Sequence, residues 1–235
     1  MKANSRPVAS NQTGIHKNLD TIVIKQQNCN NLKPIASHNR LAFDKLLEHC
    51  KKQKIILDSG CGNARSSVSI ARAHADCTVI AIDKSRARLD KLEHQHIPDN
   101  LFYARADLND IFRLLAESGI QLYKHFILYP NPWPKGAHLQ RRWHGSTALK
   151  YIVALGGELE LRSNWRLYLD EFAYALSHYN RRATVEQFDP TADEVDSIDS
   201  SHPLPPGFLT NFEEKYHRSG QVLWRLRSNL DQTSI

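Results

Sequence analysis

At 235 residues, with 41% hydrophobic and 24% charged positions, the chain has the makeup of one globular domain, which excludes general disorder. Lys and Arg outnumber Asp and Glu by 31 to 25, a net charge of +6 that suits an anionic partner or simply a soluble surface. The four cysteines (Cys29, Cys50, Cys61, Cys77) lack C-x-x-C spacing and nearby histidines complete no zinc pattern, so no metal site is expected.

The opening MKANSRPVASNQTG is polar, and no apolar run approaches the roughly 20 residues of a membrane span, which predicts a cytoplasmic protein with reduced thiols and no membrane contact. Residues 1–40 are rich in Asn, Gln, Ser and Lys and are read as a polar, extended N-terminal arm with one apolar patch at Thr21–Ile24; the domain proper occupies 41–235. Leu41, Phe43, Leu46 and Leu47 predict an amphipathic helix ending near Lys52. Lys54–Asp58 is an apolar strand followed by glycines, and 63–74 is helical in composition. Thr78–Ile82 forms a second strand ending at Asp83, with Ser85 capping a helix to about His94. Leu101–Ala104 and Leu108–Ser118 read as the third strand and helix, and His125–Tyr129 as the fourth strand. That strand runs into Pro130-Asn131-Pro132-Trp133-Pro134, where three prolines in five residues demand a rigid loop. A long helix over about 138–155 is expected next, then the strand Glu158–Arg162, a helix from Trp165 to Tyr179 and the strand Ala183–Phe188. A surface loop over 190–206 and a last strand, Val222–Arg227, complete the chain. Seven strands separated mostly by helices fit an α/β, doubly wound sheet whose ligands lie beyond the strand carboxyl ends.

Gly60 and Gly62 fall between strand and helix, where small residues let backbone N–H groups approach a ligand. Asp83 ends the next strand 21 residues after Gly62, where a carboxylate can accept from ribose hydroxyls. A nicotinamide site normally has a third glycine, and Arg65 stands in its place. The arrangement resembles the first motif of class I methyltransferases. That resemblance implies S-adenosylmethionine as cofactor, with Asp58 near its methionine end, Asp83 on its ribose and Asp107 close to its adenine.

Residues 128–143, LYPNPWPKGAHLQRRW, gather Trp133 with Lys135, Arg141 and Arg142; the ring could stack on a base while the cations hold phosphates. Tyr129-Pro130-Asn131-Pro132-Trp133-Pro134-Lys135, then His138, Arg141 and Arg142, resembles the Phe-Pro-Asp-Pro-Trp-x-Lys motif of bacterial tRNA (guanine-N7)-methyltransferases. Ser163-Asn164-Trp165 matches their Thr-Asp-Trp motif, and Thr210-Asn211-Phe212-Glu213 their Thr-x-Phe-Glu motif. The resemblance spans 54–227 and implies a class I, Rossmann-like fold with the last strand antiparallel and tRNA as substrate, the chain acting as a monomer or weak homodimer. It assigns Asn131 and Asn164 to base positioning at the catalytic centre. Substrate contact falls to Trp133, Lys135, His138, Arg141, Arg142, Thr210 and Glu213, the last as a carboxylate reading a guanine edge. Lys17 and Lys25 would add backbone contacts from the arm.

Asn131 and Asn164 stand where the family usually has aspartates, which removes two negative charges beside a product ring that becomes cationic. An Asn carbonyl still accepts a hydrogen bond, more weakly than a carboxylate. Two alternatives stay open: Asn131-Pro132-Trp133 also resembles the Asn-Pro-Pro-aromatic motif of enzymes that methylate exocyclic amino nitrogens, and the chain could be a non-catalytic RNA-binding relative.

Overall fold

The computed structural model describes residues 4–29, 33–50, 54–92, 97–191 and 207–231. Strands β1 (Lys54–Ser59), β2 (Cys77–Asp83), β3 (Leu101–Arg105), β4 (Lys124–Leu128), β5 (Glu158–Ser163), β6 (Ala183–Phe188) and β7 (Leu223–Asn229) form one sheet, ordered β3-β2-β1-β4-β5-β7-β6. The first five are mutually parallel, and β7 lies antiparallel between β5 and β6. The expected doubly wound sheet with an antiparallel last strand is therefore present. The helices are α1 (Leu19–Asn28), α2 (Ser37–His49), α3 (Arg65–Ala73), α4 (Arg86–Leu89), α5 (Leu108–Glu117), α6 (Ala148–Ala154), α7 (Arg166–Ser177) and α8 (Asn211–Arg218).

Successive strand residues feed two separate cores, as strand geometry requires of a sheet covered on both faces. Ile55, Leu57, Ile80, Ile82 and Ile127 pack with residues of α1, α2, α5, α6 and α7. Ile56, Val79, Ala81, Phe126 and Leu128 pack with Val68 and Ile70 of α3 on the other face. From β5 onward the second face changes character: Glu160, Arg162 and Arg225 are buried where apolar residues would be expected.

Two expectations need correction. Part of the N-terminal arm is not extended: α1 buries Leu19 and Val23, four residues apart on one helix face, in the main core. The long helix over 138–155 is also broken. The chain makes two short 3-10 turns, Gly136–Arg141 and Trp143–Gly145, before α6. Extended backbone at Arg142 and Ser146 interrupts it, and Gly145 packs so tightly that a Cβ there would lie 2.2 Å from the Leu139 carbonyl oxygen. The predicted helix end at His94 and most of the 190–206 loop lie outside the described residues.

Candidate active site

The strand order reverses between β1 and β4, so the crevice for a ligand opens beyond their carboxyl ends. β1 delivers Asp58 and the Gly60–Gly62 turn to that crevice. Both glycines have left-handed backbone (φ +78° and +62°), and a Cβ on either would project into open space. Side chains are excluded here by the backbone conformation, while the space beside it stays free for a ligand.

Asp58 is buried, and its Oδ2 accepts from the Ser66 and Ser67 hydroxyls at 2.6 Å each. Its Oδ1 is buried with no hydrogen-bond partner among the described residues. Burial is the main cause that raises the Asp58 pKa, opposed by the two serines and assisted by the Asp83 charge. A cationic donor arriving at Oδ1 would satisfy both the orphaned lone pairs and the charge. Asp83, at the end of β2, accepts from Gly62 N–H at 2.9 Å, Ser85 N–H at 2.7 Å and Arg88 at 3.4 Å. It thus braces the glycine turn, and a carboxylate has further lone pairs for ribose hydroxyls.

On the other side of the crevice, β4 ends at Leu128, whose register partner in β5 is Arg162. The Tyr129–Lys135 loop and Asn164 therefore leave the sheet side by side, next to the glycine turn. Tyr129 and Trp133 both have positive φ, 50° and 44°, which bulky side chains rarely adopt and which cluster at functional sites. Asn131 is exposed, its Oδ1 accepting weakly from Trp133 N–H at 3.4 Å. The Trp133 ring carries the Arg141 guanidinium 4.8 Å from its centroid and the His138 ring edge-on at 5.6 Å. Lys135 and Arg141 are exposed, available to an anionic backbone.

The family described as "Putative methyltransferase" matches residues 52–226, most of the chain. The chain belongs to that methyltransferase family. It is 24% identical over 182 residues to the tRNA (guanine-N(7)-)-methyltransferase of Brevibacillus brevis, covering 74% of this chain and 80% of that one. It is 26% identical over 182 residues to the protein of the same name from Lactococcus lactis subsp. cremoris, covering 74% and 79%. A solved antibiotic-related methyltransferase shares the fold, with a TM-score of 0.57 at 14% identity over 87% of this chain and 98% of that one. The cofactor of this methyltransferase is S-adenosylmethionine, and the open glycine turn, the orphaned Asp58 Oδ1 and the Asp83 carboxylate fit it.

Three of the methyltransferase's predicted ligand-contacting residues are instead committed to the fold. Arg142 is fully buried: it donates to Glu171, to Gln12 Oε1 at 3.0 Å and to the Trp133 carbonyl at 3.1 and 3.2 Å. Its charge shapes the motif loop from beneath and cannot reach a phosphate. Glu213 is equally buried, accepting from Arg162 at 2.9 Å, the Tyr129 hydroxyl at 3.1 Å and Leu209 N–H at 2.7 Å. With no solvent exposure that carboxylate cannot reach a base, and it locks α8 to β5 and the motif loop. Thr210 caps α8 through Oγ1, which accepts Glu213 N–H at 3.0 Å. Asp107 likewise caps α5, its Oδ1 accepting from Asn109 N–H and Nδ2 at 2.9 Å each, which leaves Oδ2 for another donor.

Three residues were missed at the sequence level. Glu171 is buried on α7 beside Tyr168, Phe172 and Ala175, and a charge on that apolar stripe was the available signal. It accepts from Gln12 Nε2 at 2.5 Å, His16 N–H at 2.9 Å, His144 Nε2 at 3.0 Å and Arg142. Arg162 is held by Glu160 at 2.6 Å and Glu213 at 2.9 Å; its alternation with Leu159 and Leu161 hinted that charges face one core. Gln221 joins Asn164 to the N-terminal segment, and no local pattern announces it.

Proposed function

We propose that this methyltransferase modifies N7 of a guanine in tRNA. The observation that carries the reading is the meeting of three segments at one crevice. The glycine turn after β1, the Tyr-Pro-Asn-Pro-Trp loop after β4 and Asn164 after β5 leave neighbouring strand ends of the reversal point, in the order the resemblance implies. Support comes also from the tRNA (guanine-N(7)-)-methyltransferases to which the chain is similar.

Bound S-adenosylmethionine supplies an electrophilic sulfonium methyl. The chain's own residues would bind and orient its partner. Asp58, through Oδ1, would take the methionine amine and Asp83 the ribose, with Asp107 Oδ2 left for the adenine end. Guanine N7 is an exposed lone pair, so no base is needed to remove a proton, and the rate comes mainly from positioning. Asn131 and Asn164 would accept from the base and Trp133 would stack on it, with His138 perpendicular to that ring at 5.6 Å. Lys135 and Arg141 would hold phosphates.

The test is methyl transfer to unmodified tRNA with mass mapping of the modified nucleosides. N7-methylguanosine is the expected product, and an N-methylated exocyclic amine would transfer the reading to the amino-methylating class. Cofactor binding without transfer to any RNA would leave a non-catalytic binder. Asn131→Asp returns a carboxylate beside the developing cation with little change in shape, so turnover is expected to rise. An unchanged or lower single-turnover rate would refute the electrostatic role of that position.

A further inference from the structure

Ser5, Asn164 and Gln221 lie far apart in sequence and meet at the mouth of the crevice. Gln221 Nε2 donates to the Ser5 carbonyl at 2.9 Å, and Gln221 Oε1 accepts from Asn164 Nδ2 at 2.8 Å. The two ends of a side-chain amide are ordinarily interchangeable, but a main-chain carbonyl can only accept. Ser5 therefore forces Gln221 to turn its NH2 outward and its carbonyl toward Asn164. Asn164 must in turn present its own NH2 to Gln221. Its Oδ1 then makes no hydrogen bond among the described residues and does not belong to the buried unpaired atoms, so it reaches solvent.

We propose that Gln221 is a positioning residue that, anchored on the N-terminal segment, polarises Asn164 so that its carbonyl oxygen alone is offered to the acceptor base. The site then selects a base edge that presents an N–H donor, as guanine does through N1 and N2. This rests on the guanine reading and adds a determinant to it. The N-terminal segment is secured on both sides of the mouth, by Ser5 N–H to Ser219 Oγ at 3.1 Å and by Ser10 Oγ to the Pro134 carbonyl at 2.6 Å. It is thus a wall of the site. The relay also gives a physical reason for asparagine at position 164. A carboxylate there would accept only, so Gln221 would have to turn its NH2 inward and set its carbonyl against that of Ser5.

The experiment compares native protein with Gln221→Ala, Gln221→Glu, Asn164→Asp and Asn164→Ala. It measures kcat and KM for tRNA and for S-adenosylmethionine, and amide hydrogen exchange over residues 5–12. Gln221→Ala should lower kcat about tenfold, the effect of losing one orienting hydrogen bond, and leave the KM for S-adenosylmethionine unchanged. Gln221→Glu keeps an acceptor for Asn164 but offers no donor to Ser5. It should recover most of that kcat while exchange over residues 5–12 rises as it does in Gln221→Ala. Asn164→Asp should raise the same exchange. If Gln221→Ala keeps native kcat while Asn164→Ala loses it, or if Glu rescues nothing, the relay is wrong. Unchanged exchange in Gln221→Ala also overturns it. Native activity in Asn164→Ala would refute the base contact itself, and absence of any guanine methylation by the native protein would overturn both.

Discussion

Removing the Glu171 charge should unlock the motif loop and the N-terminal segment together. The carboxylate has no solvent exposure and accepts from four groups, two in the N-terminal segment and two in the motif region. Burial works against its charge. The His144 hydrogen bond, the Arg142 guanidinium and the His16 N–H overcome that and hold its pKa at about 2, against an ordinary 4.5. Burial lowers the His144 pKa while its contact with Glu171 opposes that, and His144 Nδ1 has no partner among the described residues. The gap between 4.5 and about 2 is worth about 3 kcal/mol of folding stability at neutral pH. In Glu171→Gln a single carbonyl must serve four donors, the new NH2 faces one of them, and Arg142 stays buried without its counter-ion. At roughly 2–4 °C per kcal/mol for a chain of this size, Tm should fall by about 6–12 °C at pH 7. The folded pKa is the lower one, so the unfolded state takes up the proton first as the solution is acidified. The native advantage is therefore complete above about 4.5 and is lost as pH falls toward about 2. Thermal unfolding of native and Glu171→Gln protein between pH 2.5 and 7 should show two Tm values converging in acid. A difference below about 2 °C at pH 7, or one that does not narrow in acid, would show that this carboxylate does not hold the two segments.

Asp83→Ala should cost about 1.5–3 kcal/mol of S-adenosylmethionine affinity, since the brace on Gly62 disappears and, on the proposed assignment, the ribose hydrogen bonds with it; calorimetry checks it, and an unchanged Kd removes Asp83 from the cofactor site. Binding of tRNA should weaken steeply with salt. Neutralising Lys135 or Arg141 should reduce the slope of log K against log salt by about one for each phosphate no longer neutralised, and salt-independent binding would count against a nucleic-acid substrate. Leu19→Ala should lower stability by about 2–5 kcal/mol in chemical denaturation, because α1 is part of the core; a neutral result would restore the extended-arm description of this segment.

Sequence patterns determined the sheet and the chemistry of its crevice, because those signals are local. An apolar run ended by Asp58 and two glycines, or by a proline cluster, states its strand and its loop within ten residues or so. The roles of the charged residues were decided by tertiary structure. Arg141 and Arg142 are adjacent and chemically identical, yet one stacks in the open on Trp133 and the other is sealed beneath it. The difference lies in Glu171, 29 residues away, and Gln12, 130 residues away, whose groups make burial of a guanidinium tolerable. Glu213 is withdrawn from the substrate by Arg162, 51 residues away, in the same manner. Where a charge is solvated or buried depends on partners that only the fold brings within hydrogen-bond reach, and no stretch of sequence around the residue records them.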